Sequence, residues 1–319
     1  FAKYGDIDSF ELDEISALFE KSFDTAFNPD VWKWKYDLGG GKCVVARKAK
    51  GGEIVSHYGG APREIHYFGE PNTAIQVCDV MVLPEIRRQY GKNSLFFKIA
   101  ATFLEREIGN TVNHLLGFGF PNQKAMNIAL RLGLYEKTDE FLELVYPLNQ
   151  GAVTSPFNLV PIDISSFQHQ QDIGYLWQSM KRETITGIIG DRHFNYIEYR
   201  YFDHPFAETD LYRCVFLNDE AGKSIAAVFL KEHEHRLLVM DLICPPSIMK
   251  QVLTNLSQLV LGKELKLWIT RGWVNAVKTE TAIENHLGIE IPCNSWNPGP
   301  HSVDLYGKWW LTAGDMDFM

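Results

Sequence analysis

The sequence predicts an α+β protein made of two tandem copies of one unit, the second degenerate. Three observations carry this: an ordered alternation of helical and strand patterns in the first half, the return of that order in the second half, and turn-forming residues between them. In the first half, "SFELDEISALFEKSF" spaces its apolar residues at helical intervals, and "NPDVWKWKYDLGGG" is a short helix halted by glycines. "KCVVARKAKGGEIVSHYGGAPREIHYFGE" reads as two strands around a turn at Gly51-Gly52, and "AIQVCDVMVLPE" as a third strand. "NSLFFKIAATFLEREIG" is a helix with Leu95, Ile99 and Phe103 on one face. A strand "HLLGFGF", a helix "NQKAMNIALRLG" and a closing strand "FLELVYPL" follow.

The second half echoes these segments in order. "YIEYRYFDHP" answers "DVWKWKYDLGG", with Arg200-Tyr201 against Lys35-Tyr36. "YRCVFLNDEAGKSIAAVFLK" repeats strand, turn, strand, and "LLVMDLICPP" answers "QVCDVMVLPE" with Asp241 in the role of Asp79. "LWITRGWVNAVKTETAIENHLGIE" answers "LLGFGFPNQKAMNIALRLGLYE", so a helix ended by a glycine is expected after Asn275 as after Asn122. "YPLNQGAVTSPFNLVP" supplies the connecting stretch.

Apolar residues make up 45% of the 319, enough for a sizeable core. The balance of 40 acids against 31 bases, net charge −9, argues against a broad nucleic-acid surface. No apolar run approaches the roughly 18 residues of a membrane span, and the acidic, amphipathic opening stretch is unlike a secretory leader. Cys43, Cys78, Cys214, Cys244 and Cys293 form no C-x-x-C pair; most are expected as buried free thiols, which fits a reducing cytoplasm. No metal is expected: His233 and His235 in "KEHEHR" read as a solvated strand end.

Against this acidic background, "LPEIRRQYGKNSLFF" gathers Arg87, Arg88 and Lys92 around Gly91 at a helix start. A helix N-terminus is already positive, so bases there favour a docked anion. Glycine admits a phosphate close to the backbone. The second copy reads "PPSIMKQVLTNLS" at this place, without glycine or arginine, and is expected to have lost the anion.

This loop resembles the acyl-CoA pyrophosphate loop of the GNAT acetyltransferase superfamily, [Q/R]-x-x-G-x-[G/A]. Arg88, Gly91 and Asn93 stand at its three motif positions, Asn93 replacing Gly or Ala. "GFGFPNQKAMNIALRLGLYE" is similar to the family's N-x-x-A-x-x-x-Y-x-x-x-G-F segment through Asn122, Ala125, Gly133 and Leu134. The resemblance implies two tandem GNAT-like domains, each a mixed, mainly antiparallel sheet flanked by helices. Residues 1–148 would form the domain with the acyl-CoA loop and 149–160 a linker. The degenerate copy, 161–319, would line the acceptor site.

By the same resemblance, acyl-CoA is the co-substrate. Its pantetheine would pair with Met81, Val82 and Leu83, and its pyrophosphate would lie in Arg87, Arg88, Gln89, Tyr90, Gly91, Lys92, Asn93 and Ser94. Asn122 would touch the thiol end. Ala129 stands where the family carries a Tyr general acid, so no acid is assigned. Asp79, in the apolar run "VCDVMVL", and His57, in "IVSHYGG", are the candidate bases that make the amine neutral. Trp34 and Tyr36, with Arg271, Trp273 and Asn275 of the second copy, are candidate acceptor contacts, because aromatics with polar tips suit sugar rings. Tandem copies of this kind resemble bacterial acyltransferases of amino sugars. The expected activity is therefore acyl transfer to the amine of a dTDP- or UDP-linked deoxyamino sugar for surface polysaccharide. An aminoglycoside, peptide or lysine amine is the alternative acceptor, and a non-catalytic CoA-binding module the alternative role.

Overall fold

The computed structural model describes residues 2–37, 40–87, 91–147, 155–207, 212–260 and 262–316. In chain order it contains β1 (Ala2–Asp6), α1 (Leu12–Phe23), α2 (Pro29–Asp37), β2 (Lys42–Arg47), β3 (Ile54–Tyr67), β4 (Glu70–Val82), α3 (Leu95–Glu107), β5 (Leu116–Gly119), α4 (Gln123–Arg131) and β6 (Tyr135–Tyr146). There follow β7 (Asn158–Pro161), α5 (Phe167–Glu183), β8 (Ile188–Gly190), α6 (Phe194–Ile197), β9 (Tyr212–Asn218), β10 (Ser224–His233), β11 (Arg236–Ile243) and α7 (Met249–Leu259). Last come β12 (Glu264–Thr270), α8 (Val274–Val277), β13 (Ile283–Asn294), α9 (Ser302–Leu305) and β14 (Trp309–Trp310). Of the expected linker, residues 149–154 lie outside the described residues, and Asn158 opens β7.

The chain forms two compact units that interleave in sequence. The described residues of 1–64, 72–138 and 289–306 make the first, and those of 65–71, 139–288 and 307–319 the second. The first unit is a sheet in the order β1-β2-β3-β4-β5, antiparallel from β1 to β3 and parallel between β4 and β5. Its core joins α1, α3 and the inner faces of the strands through Ile15, Leu18, Val44, Tyr58, Ile75, Ile99 and Phe103. The helix α3 earns its place by periodicity, since Ile99, Phe103 and Leu104 are all completely buried.

The second unit repeats the plan. Antiparallel β9-β10-β11 continues into β12 parallel to β11, with β7 beside β9 and β6 antiparallel to β12. The α+β expectation, two mixed sheets flanked by helices, therefore holds. One element differs. The helix expected after Asn275 stops at Val277; residues 278–282 form a turn, and β13 begins at Ile283 instead. Thr279 and Thr281 break it: their hydroxyls pair and the Ala282 N–H closes a turn on the Thr279 carbonyl. Gly288, the expected helix stop, sits within β13 at φ 70°.

All five cysteines are free thiols and four are buried, as their apolar settings suggested. Among the described residues no helix is long and apolar enough to cross a membrane.

Candidate active site

In the first unit, the parallel pairing of β4 with β5 runs from Ala74–Leu116 to Val77–Gly119 and stops. Two residues later Asp79 adopts φ 48°, a left-handed conformation rare for a non-glycine residue in mid-strand. Beyond this kink β4 stays tied to β3: Ser56 Oγ donates to the Met81 carbonyl at 2.8 Å, and Leu83 N–H donates to the Val55 carbonyl at 3.0 Å. Because backbone groups alternate along a strand, Val80 and Val82 turn theirs to the opposite edge, past the end of β5. The three residues expected to pair with pantetheine thus divide. Val82 N–H faces the open edge, whereas the Met81 carbonyl and Leu83 N–H are engaged on the β3 side.

The loop that follows is closed by Arg87 rather than left open by it. Its N–H bonds the Pro84 carbonyl, Nε donates to the Val82 carbonyl at 2.7 Å, and Nη2 donates to the Ser22 carbonyl at 3.1 Å. Arg88, Gln89 and Tyr90 lie outside the described residues. Gly91 stands at φ 73° with open space where a Cβ would be. Lys92 and Asn93 are exposed, and Ser94 caps α3 by accepting from Phe97 N–H at 3.2 Å. The first turn of α3 carries no acid. Lys92 Nζ is held 5.4 Å from the Trp296 ring and 5.9 Å from the Phe97 ring, while the indole N–H donates to Glu105 at 2.8 Å. An uncompensated helix start beside a lysine fixed over an aromatic face suits an anion.

The carboxylate of Asp79 is 6% exposed and is held from two sides. Lys35 Nζ lies 3.0 and 3.1 Å from its two oxygens, and Tyr36 OH donates at 2.5 Å. Lys35 and Tyr36 both come from α2, where Pro29 opens the helix and the Asn28 side chain receives the Asp30 and Val31 N–H groups. His57 is completely buried; its Nδ1 meets the Asp79 carbonyl at 2.7 Å, and its ring packs 5.5 Å from Trp32. Burial pushes the His57 pKa down, against the pull of the Asp79 carbonyl.

Asn122, exposed, caps α4 by accepting from Ala125 N–H at 2.9 Å, so its side-chain oxygen is engaged and its amide nitrogen faces outward chemistry only as a donor. Ala129 is fully buried on the core face of α4. Trp34 is half-buried on α2. In the second unit, the Arg271 guanidinium is taken up by Glu140 at 2.6 Å and Glu284 at 3.8 Å. Trp273 donates to the Lys308 carbonyl at 3.2 Å and packs 5.5 Å from Trp310, and Asn275 is exposed inside α8 rather than capping it.

Sequence reasoning brought Asp79, His57 and Tyr36 forward, and the structure joins the three. It missed Lys35, although the basic residue before each echoed tyrosine was a visible signal. It also missed Trp296, whose place beside the loop depends on a return of the chain from far downstream, which no local pattern announces.

Residues 3–122 match the family model described as the acetyltransferase (GNAT) domain. No curated protein sequence matches the chain. Among solved structures, a probable N-acyltransferase of Enterococcus faecalis is similar at TM-score 0.64 and 10% identity, over 92% of this chain and 72% of that one. A GCN5-related N-acetyltransferase from Kribbella flavida gives TM-score 0.61 and 12% identity, over 93% and 72%. The Saccharomyces cerevisiae N-myristoyltransferase with bound myristoyl-CoA gives 0.55 and 9%, over 92% and 79%. The fold is accordingly a two-domain GNAT-like one, and the family-model match falls on residues 3–122.

Proposed function

We propose that the chain is an acyl-CoA-dependent N-acyltransferase whose donor site lies in the first unit. One coincidence carries the reading: the β4 edge left behind by β5 at Val77–Gly119 leads directly into a glycine-opened helix start with Lys92 beside it. The pantetheine arm would lie along that edge as an added strand, with Val82 N–H as its nearest partner. The pyrophosphate would rest on the loop from Arg87 to Ser94, including Arg88, Gln89 and Tyr90, against the N–H groups that open α3. Asn122 would meet the arm through its amide nitrogen.

The reaction is attack of a neutral amine on the thioester carbonyl. Charge gathers on the carbonyl oxygen, the C–S bond breaks and CoA leaves as its thiolate. A backbone N–H facing the oxygen is worth about 10²–10³ in rate. With Ala129 in place of an acid, the thiolate leaves unaided, which a thiol pKa of about 8.5 permits. Asp79 is the group that orients the amine and receives its proton. Its two oxygens offer about four acceptor positions, of which Lys35 and Tyr36 occupy three.

For the acceptor, the reading is the amine of a dTDP- or UDP-linked deoxyamino sugar. Its support is the half-buried Trp34 next in sequence to Lys35 and Tyr36, an aromatic face suited to a sugar or base.

A thermal-shift titration with CoA and short acyl-CoAs, each with and without these nucleotide sugars and with an aminoglycoside, tests both levels. A ligand at 100 times its Kd adds about 2.7 kcal/mol. Stabilisation by acyl-CoA, raised further by a nucleotide sugar, is expected. No shift with any CoA species overturns the donor site; a further shift with the aminoglycoside alone overturns the acceptor class.

A further inference from the structure

We infer that His57 is a positioning residue: its Nδ1–H holds the Asp79 carbonyl and so fixes the kink in β4 on which both the acid and the donor edge depend. The inference rests on the acyl-transfer reading and goes beyond it by removing one of the two candidate bases.

A non-glycine residue at φ 48° in mid-strand persists only where its surroundings hold it. Asp79 is held at both ends. Its carboxylate is gripped by Lys35 and Tyr36, and its carbonyl receives His57 at 2.7 Å. A carbonyl can only accept, so Nδ1 carries the proton and Nε2 carries the lone pair. That Nε2 is buried with no hydrogen-bond partner among the described residues, and the ring has no exposed surface, so the lone pair has no route to an incoming amine.

The strand opposite makes room for this arrangement. Gly59 follows His57 by two residues on the same face of β3, and a Cβ there would lie 2.6 Å from His57 Cε1 and 2.8 Å from Tyr36 OH. One glycine therefore admits both the histidine and the tyrosine that fix Asp79. On the far side Trp32 closes the ring in at 5.5 Å. If the kink relaxed into a regular strand, Val80 and Val82 would change edges, because one residue of slippage reverses every backbone and side-chain direction. The donor edge and the acid would be lost together.

Two variants separate the roles. In His57→Asn the amide nitrogen takes the place of Nδ1, so the donor remains and the titrating ring is gone. In His57→Leu the bulk remains without a donor. Turnover is read with acetyl-CoA and a dTDP-linked 4-amino-4,6-dideoxyglucose across pH 5.5–9, and amide hydrogen exchange is read over residues 79–83. The Asn variant is expected within about threefold of the parent in kcat, with the parent's pH profile and the parent's exchange protection. The Leu variant is expected to lose at least tenfold in kcat, a rise in acetyl-CoA KM, and protection at residues 79–83. A hundredfold loss in the Asn variant with a flattened acid limb makes His57 the base and overturns the inference. Unchanged protection in the Leu variant overturns it as well. Should Leu fail to fold, the Asn variant and its pH profile decide. Should neither CoA nor any acyl-CoA stabilise the parent, the acyl-transfer reading fails, and exchange at residues 79–83 still decides the holding role.

Discussion

In the first unit the pairing of β4 with β5 ends at Val77 and Asp79 follows two residues later; in the second, the pairing of β11 with β12 ends at Val239 and Asp241 follows two residues later. Both strands are irregular there: Asp79 takes a left-handed conformation, and β11 carries one extra residue, Met240, against β10. The aspartates then part company. Asp79 is shared between Lys35 and Tyr36 of the preceding helix. Asp241 is 1% exposed and paired with the fully buried Arg192 at 3.1 Å, which also takes Asp315 at 2.7 Å. Arg200 of the echoed Arg200-Tyr201 pair acts on Asp241 through its charge. Arg200 donates to the carbonyls of Gly314 and Met316, and Tyr201 stacks on Phe229.

The second unit has also filled the gap between its diverging strands with its own chain. Thr270 N–H bonds the Leu311 carbonyl, Thr312 bridges Ile269, and Gly314 approaches the Met240 carbonyl so closely that a Cβ would lie 2.6 Å from it. A cleft of the same plan holds an open edge in one copy and a protein segment in the other. The acid at the corresponding place is part of a salt-bridged core where the edge is closed.

The largest expected effect breaks the second cleft. Asp241→Ala leaves Arg192 buried with half its compensation and should cost about 3–5 kcal/mol, read as a drop in thermal midpoint. Asp79→Ala should cost less stability and abolish transfer; equal stability losses in the two variants would erase the contrast. Next, Gly91→Asp places an acid at the start of α3 and a side chain at φ 73°. Acyl-CoA affinity should fall a hundredfold or more, about 2.7 kcal/mol, with the melting point of the free protein lowered by only a few degrees. Retained stabilisation by CoA would mean that the open edge is not where the donor binds.

The smallest effect limits the claim that carboxylates of the second unit serve stability, because one of them works against it. Burial pushes the Asp139 pKa up to about 6, against the hydrogen bonds its oxygens accept from the Glu140, Arg271 and Gly272 backbone. Its folded pKa lies above its unfolded value, so the native state binds the extra proton between pH 4 and 6. The contribution of Asp139 to stability is then greatest below about pH 4 and is lost as pH rises through 6. Asp139→Asn should remove that decline, gaining on the order of 2 kcal/mol at pH 8 and nothing at pH 4. Melting curves of the two proteins at both pH values check it.

Much of this comparison was legible in the sequence. The echoed segments that carry strands fall on β9 to β12, because strand and turn signals are local. Asp79 stood out because a charge in an apolar run must find partners, and Lys35-Tyr36 lay in an echoed position. What stayed hidden is long-range. Neither the partner of Asp241, 49 residues away in Arg192, nor the hold of His57 on a carbonyl leaves a mark in composition or spacing. The helix expected after Asn275 failed for the opposite reason: the echo suggested it, and local threonine chemistry overruled the echo.

The return of residues 289–306 to the first unit has a consequence in time. Trp296 packs on Phe97 and bonds Glu105, Asn297 donates to the Ile108 carbonyl, and Ser295 N–H reaches the Leu134 carbonyl. These contacts close the wall beside the loop with residues translated some 170 positions after α4, roughly 10–30 s later at ordinary ribosomal speed. During that interval the nascent first unit carries an uncovered apolar flank at Phe97. The half of the molecule made first is thus completed only after most of the second has been translated, and a ribosome stalled before residue 289 would leave that flank of the nascent chain uncovered.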